Sequence, residues 1–348
     1  MSTPTTTGIK VSKISLICAF FVVCIHCKPE GALGGFTWWV TELFNKGICS
    51  IAVPFFFTVS GSFLAKHVYE EHWWKREVSK RFRTLLIPYV SWSVLYFLYA
   101  ISLILIANIL ANTSLLRNIP GILSILGLDP LDYPYLIPLW FVRCLFIFVL
   151  VSPLIVWIIK KNQRVSSIFL LLIFPLGLLR TFLQPEEGEV LWFTVGTFSL
   201  LNLFYFSLGF HLALYPPQQL KRKFPTYLAG CAWIIFLTLQ ALAALYLPNF
   251  KGCFNFLSIP AGLYFVWQAT SVNPWSRTLT QASFPIFVLH MFFLSIIGLA
   301  LKNLVPVVAG TLITCFASSI VAFFASILVS YFAHKYFPRM AHFLFGGR

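Results

Sequence analysis

The chain has 348 residues, of which 59% are hydrophobic, 18% aromatic and only 10% charged, with a mean hydropathy of +0.85. A soluble domain carries about 25% charged residues, so this chain has too little polar side chain to cover a water-borne particle of its size. The net charge of +15 falls in short runs between apolar stretches, with none of the continuous basic surface that a nucleic-acid binder needs; such spacing orients a multi-span membrane protein.

A membrane helix needs about 20 residues, and ten candidate segments follow one another, near 11–27, 47–65, 84–110, 136–158, 166–179, 191–214, 226–247, 253–271, 282–301 and 304–333. Runs such as SIFLLLIFPLGLL break the strict alternation of barrel strands. The expected fold is therefore all-α, a polytopic membrane protein of about ten transmembrane helices. Residues 1–10 read as a disordered cytoplasmic terminus, 11–333 as one ten-helix membrane domain and 334–348 as a cytoplasmic tail. The first apolar run ends in HCKPE without a small-residue cleavage pattern, so it reads as a retained helix rather than a signal peptide.

Charge sets the orientation. The N-terminus, 66–83, 160–164, 221–223, Arg277 and the C-terminal tail together carry 18 of the 25 basic and 3 of the 10 acidic residues, whereas the alternate connections carry 6 and 7. That asymmetry predicts both termini in the cytoplasm. The basic, tryptophan-bearing 66–83 connection suits a segment lying along headgroups. The apolar, proline-rich 111–135 connection reads as a re-entrant or lid-like outer cover. Pro54, Pro88, Pro153, Pro175, Pro260 and Pro285 mark expected kinks.

The eight cysteines lie mostly in apolar runs, where a thiol behaves as a small hydrophobe. Cys24 and Cys27 make a CxxC, but no second pair completes a zinc site, so no metal is expected. Ser60 and Gly61 in VPFFFTVSGSFLA read as a close-approach surface for another helix.

Ionisable side chains at membrane depth are functional candidates because they are costly there. His26 ends the first span and is either an interfacial histidine or a proton acceptor. Arg143, within IPLWFVRCLFIFVL, is held either by carbonyls or by a ligand. His290, in SFPIFVLH, is either a buried structural histidine or a cavity-lining one. Arg81 and Arg83 anchor the cytoplasmic mouth of the third span or clamp a phosphate-bearing donor there. Glu30 and Glu42 either orient His26 or are solvated. His211 and His334 read as interfacial.

Four stretches in order resemble a known family: ISLICAFFVVCIHC ending the first span, VPFFFTVSG with RFRTLLIPY, LWFVRCL, and SFPIFVLH. Together they look like the integral-membrane acyltransferases called acyltransferase family 3, which modify sugars and surface polysaccharides, and the resemblance spans essentially the whole chain. It implies transfer of an acyl group, usually acetyl, from a coenzyme A thioester (acetyl-CoA or another acyl-CoA) to a hydroxyl of a glycan or lipid-linked sugar, at the bacterial cytoplasmic membrane. His26 matches the family's first-span catalytic histidine, Arg143 the arginine of its LWFLR-like motif, and Arg81 and Arg83 its donor-side basic cluster. Where the family often has an arginine eleven residues before that histidine, this chain has Ser15. Either Lys13 or Arg81 takes its place, or the chain belongs to a subgroup with altered donor handling that resembles the intercellular-adhesin modifiers.

The chemistry is coherent with the residues, since a thioester already activates the acyl group. His26 would deprotonate an alcohol and Arg143 would steady the oxyanion; His290 is the third candidate catalytic residue. The expected partners are acyl-CoA, the glycan acceptor and membrane lipids, with no nucleic acid; homo-oligomer formation is left open. An exporter of polysaccharide or small solutes is the main alternative, and a non-catalytic scaffold the third.

Overall fold

The protein is described by a computed structural model covering residues 5–29, 31–111, 134–183, 194–195, 198–216, 225–305 and 310–347. Glu30, most of the 111–135 connection and the basic run 221–223 lie outside the described residues.

Helix α1 (Thr6–His26) starts where the Thr5 hydroxyl accepts the Gly8 amide at 3.2 Å. That cap overturns part of the expected disordered terminus, because residues 6–10 are already helical. The next apolar unit begins before residue 47, as short α2 (Phe36–Val40), a π turn (Thr41–Asn45), a 3-10 turn (Ile48–Ile51) and α3 (Ala52–Ala65). The 66–83 connection carries a helix. Its helix α4 (Trp73–Arg81) runs through a second π turn (Phe82–Leu86) into α5 (Ile87–Ala111). Then follow α6 (Trp140–Ile159), α7 (Gln163–Leu183), α8 (Leu200–Leu214), α9 (Thr226–Tyr246), α10 (Lys251–Ala269), α11 (Arg277–Gln281), α12 (Ser283–Leu304), α13 (Leu312–Tyr336) and α14 (Pro338–Leu344). A two-residue antiparallel ladder, Thr194–Val195 with Phe198–Ser199, precedes α8.

Each of the ten expected segments contains a helix. Among the described residues, seven helical stretches are long and apolar enough to cross a membrane, while Gln163–Leu176 and Leu200–Leu214 are shorter apolar helices. The chain is a multi-pass membrane protein of the all-α class. The expected kinks divide by position. Pro153, Pro175 and Pro260 lie inside helices, whereas Pro54 and Pro285 fall in the first turn of α3 and α12, where a missing N–H costs little. Pro88 follows the second π turn, whose Ile87 N–H reaches back five residues to the Phe82 carbonyl. A proline ring crowds the carbonyl four residues before it, here that of Thr84, and the widened turn makes room.

Helix α1 is buried along one run from Lys13 to Cys24 and packs against α3, α12 and α13. In lipid the hydrophobic effect does not drive helices together, so backbone proximity and van der Waals contact must do so. The tightest such contact joins α3 to α8. A Cβ on Gly61 would collide with the Phe206 carbonyl, and one on Gly209 with that of Thr58. The Ser60–Gly61 reading as a close-approach surface therefore holds at Gly61. Helices α9 and α10 repeat the device, with Gly262 beneath the Trp233 indole and Gly230 against Phe265. Between α3, α6 and α12 the core is aromatic: Phe57 meets Phe141 at 4.7 Å and Phe148 at 5.4 Å, and Phe141 meets Phe287 at 5.9 Å between ring centroids.

Gly61→Val should therefore part α3 from α8 and cost at least the roughly 1–3 kcal/mol typical of overpacking. Gly298, with nothing within 4 Å of an added Cβ, should accept Gly298→Ala with no loss. Thermal unfolding of the purified variants in detergent measures both, and equal midpoints would contradict the packing described.

Candidate active site

Two histidines separated widely in sequence meet at the end of α1. His26 is the last residue of α1 and His290 lies on α12; their ring centroids are 5.3 Å apart with the planes tilted by 40°. His290 is fully buried, and every α12 residue from Phe284 to His290 is buried. Its Nδ1–H donates to the Ile286 carbonyl at 2.9 Å, one turn back along the helix. That bond assigns the proton of the neutral ring to Nδ1 and leaves a lone pair on Nε2. Nε2 is buried and has no hydrogen-bond partner among the described residues.

The turn of α1 that carries His26 is held from outside. Asn45 Nδ2 donates to the Cys24 carbonyl at 2.6 Å, which also accepts the Cys27 amide at 3.2 Å, and to the Cys27 carbonyl at 3.1 Å, just past the helix end. Asn45 reaches them because it closes the first π turn, where the Lys46 amide bonds to Thr41 O at 3.0 Å. Such single π turns recur at functional sites. The turn is pinned by Glu42, only 2% exposed, whose two carboxylate oxygens take Lys46 and, at 2.8 Å, Lys251 of α10. With both oxygens occupied by lysines, Glu42 neither orients His26 nor is solvated, so both expectations for it fail; Glu30 lies outside the described residues. Asn45 went unnoticed in the sequence because FNKG looks like an ordinary loop.

Beside this helix end, Cys24, Cys27, Cys315, Ser319 and Asn45 line one small pocket. All eight cysteines are free thiols, and no cluster of three or more metal-ligating side chains is assembled among the described residues. Arg143 is half-buried on α6 and interacts electrostatically with Tyr89 of α5. The Phe141–Phe287 contact joins its helix to the one carrying His290. His26 and His290 are thus brought into direct contact, and Arg143 stands on the neighbouring helix.

The basic residues expected to hold a donor are distributed differently. Lys13 is buried at 4% exposure, donates to Ser271 Oγ at 2.7 Å and lies 5.0 Å from the centre of the Trp275 ring. Arg81 turns inward, its Nε 3.6 Å from the buried Glu77 carboxylate, which Lys80 and His67 also approach at 3.8 and 3.9 Å. Arg83 is exposed and lines two adjoining open grooves. Two residues along a helix turn a side chain by about 200°, so the pair divides between an inner ion pair and an outer surface. Hydrogen bonds from His67 and Arg76 hold the exposed Glu70 carboxyl below its ordinary range. His211 bonds to Ser166 at 2.7 Å and His334 to its own Ser330 carbonyl at 2.8 Å, which gives both structural partners.

A family model described as an acyltransferase domain matches residues 16–335. No curated protein and no solved structure matches the chain.

Asn45→Asp keeps the side-chain volume but replaces the amide NH2 with an oxygen facing two carbonyls. It should destabilise the protein by about 1–3 kcal/mol, the cost of leaving buried acceptors unpaired. A lowered thermal midpoint in detergent checks this, and an unchanged midpoint would show that the α1 end does not depend on Asn45.

Proposed function

The chain belongs to acyltransferase family 3, and from that premise we propose that it transfers an acyl group, acetyl in the simplest case, from a coenzyme A thioester to a hydroxyl of a surface glycan or lipid-linked sugar. The observation that carries this reading is the contact of His26 with His290 in a buried setting, with the Nε2 lone pair of His290 unclaimed.

The step balances without a covalent enzyme intermediate. The acceptor oxygen attacks the thioester carbonyl while His26 takes the hydroxyl proton. The tetrahedral oxyanion is stabilised by a cation, for which Arg143 is the candidate on the adjoining helix. Collapse breaks the carbon–sulfur bond, and His26 returns its proton to the departing coenzyme A thiolate. His290 supports the protonated state of His26: it stays neutral, its own proton committed to Ile286, and offers a lone pair rather than a second positive charge. The family match favours this chemistry over the exporter reading.

We further propose that both termini and the Trp73–Arg83 segment face the cytoplasm, as the charge asymmetry requires, which puts Arg83 on the donor side. Lys13 and His26 lie thirteen residues apart on α1, about 20 Å along its axis. The extended arm of the donor would have to cover a separation of that order to bring its thioester to His26.

Membranes given radiolabelled acetyl-coenzyme A and candidate surface glycans should place label in ester linkage. His26→Ala should slow this by about 10²–10⁴-fold at normal expression. Arg143→Lys should recover only part of what Arg143→Leu loses, since lysine lacks the planar fork. Near-normal transfer by His26→Ala would remove the mechanism. Orientation is checked separately, with Lys75→Cys in a cysteine-free background: an impermeant external reagent should leave it unlabelled in intact cells, and labelling would reverse the assigned sides.

A further inference from the structure

Four of the eight cysteines converge at the end of α1, and the acyl-transfer chemistry uses none of them. Cys24 lies in the last turn of α1 and Cys27 just past it. Cys49 comes from the 3-10 turn at Ile48–Ile51, and Cys315 from near the start of α13. Their thiols meet in pairs, Cys24 with Cys49 and Cys27 with Cys315. The Ser319 hydroxyl stands between the pairs. It donates to the Cys315 carbonyl at 2.9 Å and is in contact with the thiols of both Cys24 and Cys27.

A core position that needs only volume is filled by any small side chain. Here sulfur is set against sulfur twice, from segments far apart in the chain. A disulfide forms without backbone movement only where two thiols already lie together, and both pairs meet that condition. They differ in access. Cys24 is 1% exposed and Cys49 is 0% exposed, so an oxidant reaches neither sulfur. Cys27 is half-buried and lies beyond the helix, on extended backbone at φ −108° and ψ 94°. An external reagent meets the Cys27 sulfur first, and the Cys315 sulfur lies behind it. In the orientation proposed above, this end of α1 faces the outer side, where disulfides persist.

We propose that Cys27 and Cys315 are a redox pair whose oxidation staples the end of α1 to α13, one residue beyond His26. The oxidant is a disulfide, of a small thiol or of a protein. The Cys27 thiolate attacks it, forming a mixed disulfide and releasing one thiol. The Cys315 thiolate then attacks the Cys27 sulfur and releases the second. The oxidant's S–S bond breaks and the Cys27–Cys315 bond forms. Two protons and two electrons pass to the oxidant, which departs as two thiols. Asn45 already holds the Cys27 carbonyl, so the disulfide ties the same residue a second time, through its side chain. The proposal goes beyond the acyl-transfer reading and uses no step of it.

The purified full chain in neutral detergent is treated with oxidised glutathione, alkylated with N-ethylmaleimide and digested, and its peptides are weighed before and after dithiothreitol. The expected product is a reducible cross-link between the peptides carrying Cys27 and Cys315. The thermal midpoint should rise by about 2–5 °C over that of the reduced protein. Cys27→Ser and Cys315→Ser should each abolish both the cross-link and the rise. If Cys315→Ser fails to fold, Cys27→Ser, at the half-buried position, is the control. A cross-link between Cys24 and Cys27 would overturn the pairing. Glutathione retained on Cys27 without a cross-link, or a Cys27 that is not oxidised at all, would overturn the redox pair. A cross-link that leaves the midpoint unchanged would overturn the staple. No arm reads acyl transfer, so failure of the enzymatic reading leaves each of these outcomes as it stands.

Discussion

In lipid there is no water to complete a hydrogen bond, so each polar atom must find its partner within the protein. That demand shapes this chain at every level. It makes the spans helical, and it turns serines back onto their own helices, as with Ser93 on the Tyr89 carbonyl and Ser326 on that of Ala322. It binds the buried Glu42 to two lysines and gives Asn45 two carbonyls to hold. Against that background the atoms left over become conspicuous. Nine buried side-chain atoms lack a hydrogen-bond partner among the described residues, and one of them, His290 Nε2, belongs to the ring that lies against His26.

The helical architecture was legible because long apolar runs admit few alternatives, and His26, Arg143 and His290 stood out because polar atoms are expensive at depth. What could not be read was which of them meet. His26 and His290 come together through the packing of α1 on α12, and no spacing rule links residues so far apart. Arg81 and Arg83 looked like one cluster, although helical geometry alone turns neighbours two apart to opposite sides, and the structure sends one to Glu77 and the other to the surface. Lys13 was marked through the family resemblance, as the base nearest the position where the family often has an arginine. Its ammonium instead joins Ser271 and the Trp275 face, a contact set by the α10–α11 connection.

The π turns were also invisible, for a related reason. Each adds one residue to a helix without altering its hydrophobic pattern enough to show. Each nevertheless re-aims the side chains beyond it: the first delivers Asn45 to the end of α1, and the second, just before Pro88, sets the face of α5 against which α14 packs. Glu42 and Lys46 looked like loop charges because charged residues seldom lie within buried helices. Their mutual contact and the reach of Lys251 overturn that rule locally.

The Glu42 clamp also bears on how the protein is assembled. Domains of a growing chain form from the N-terminal side, and Lys251 is made more than 200 residues after Glu42. During that interval the carboxylate, buried in the finished protein, would be an unpaired charge if it depended on Lys251 alone. Lys46, four residues on and on the same face, supplies a counter-charge at once. The local pair thus lets the Phe36–Ala65 unit enter the membrane as a neutralised whole, and Lys251 later converts that provisional partnership into a bolt between the first helices made and α10.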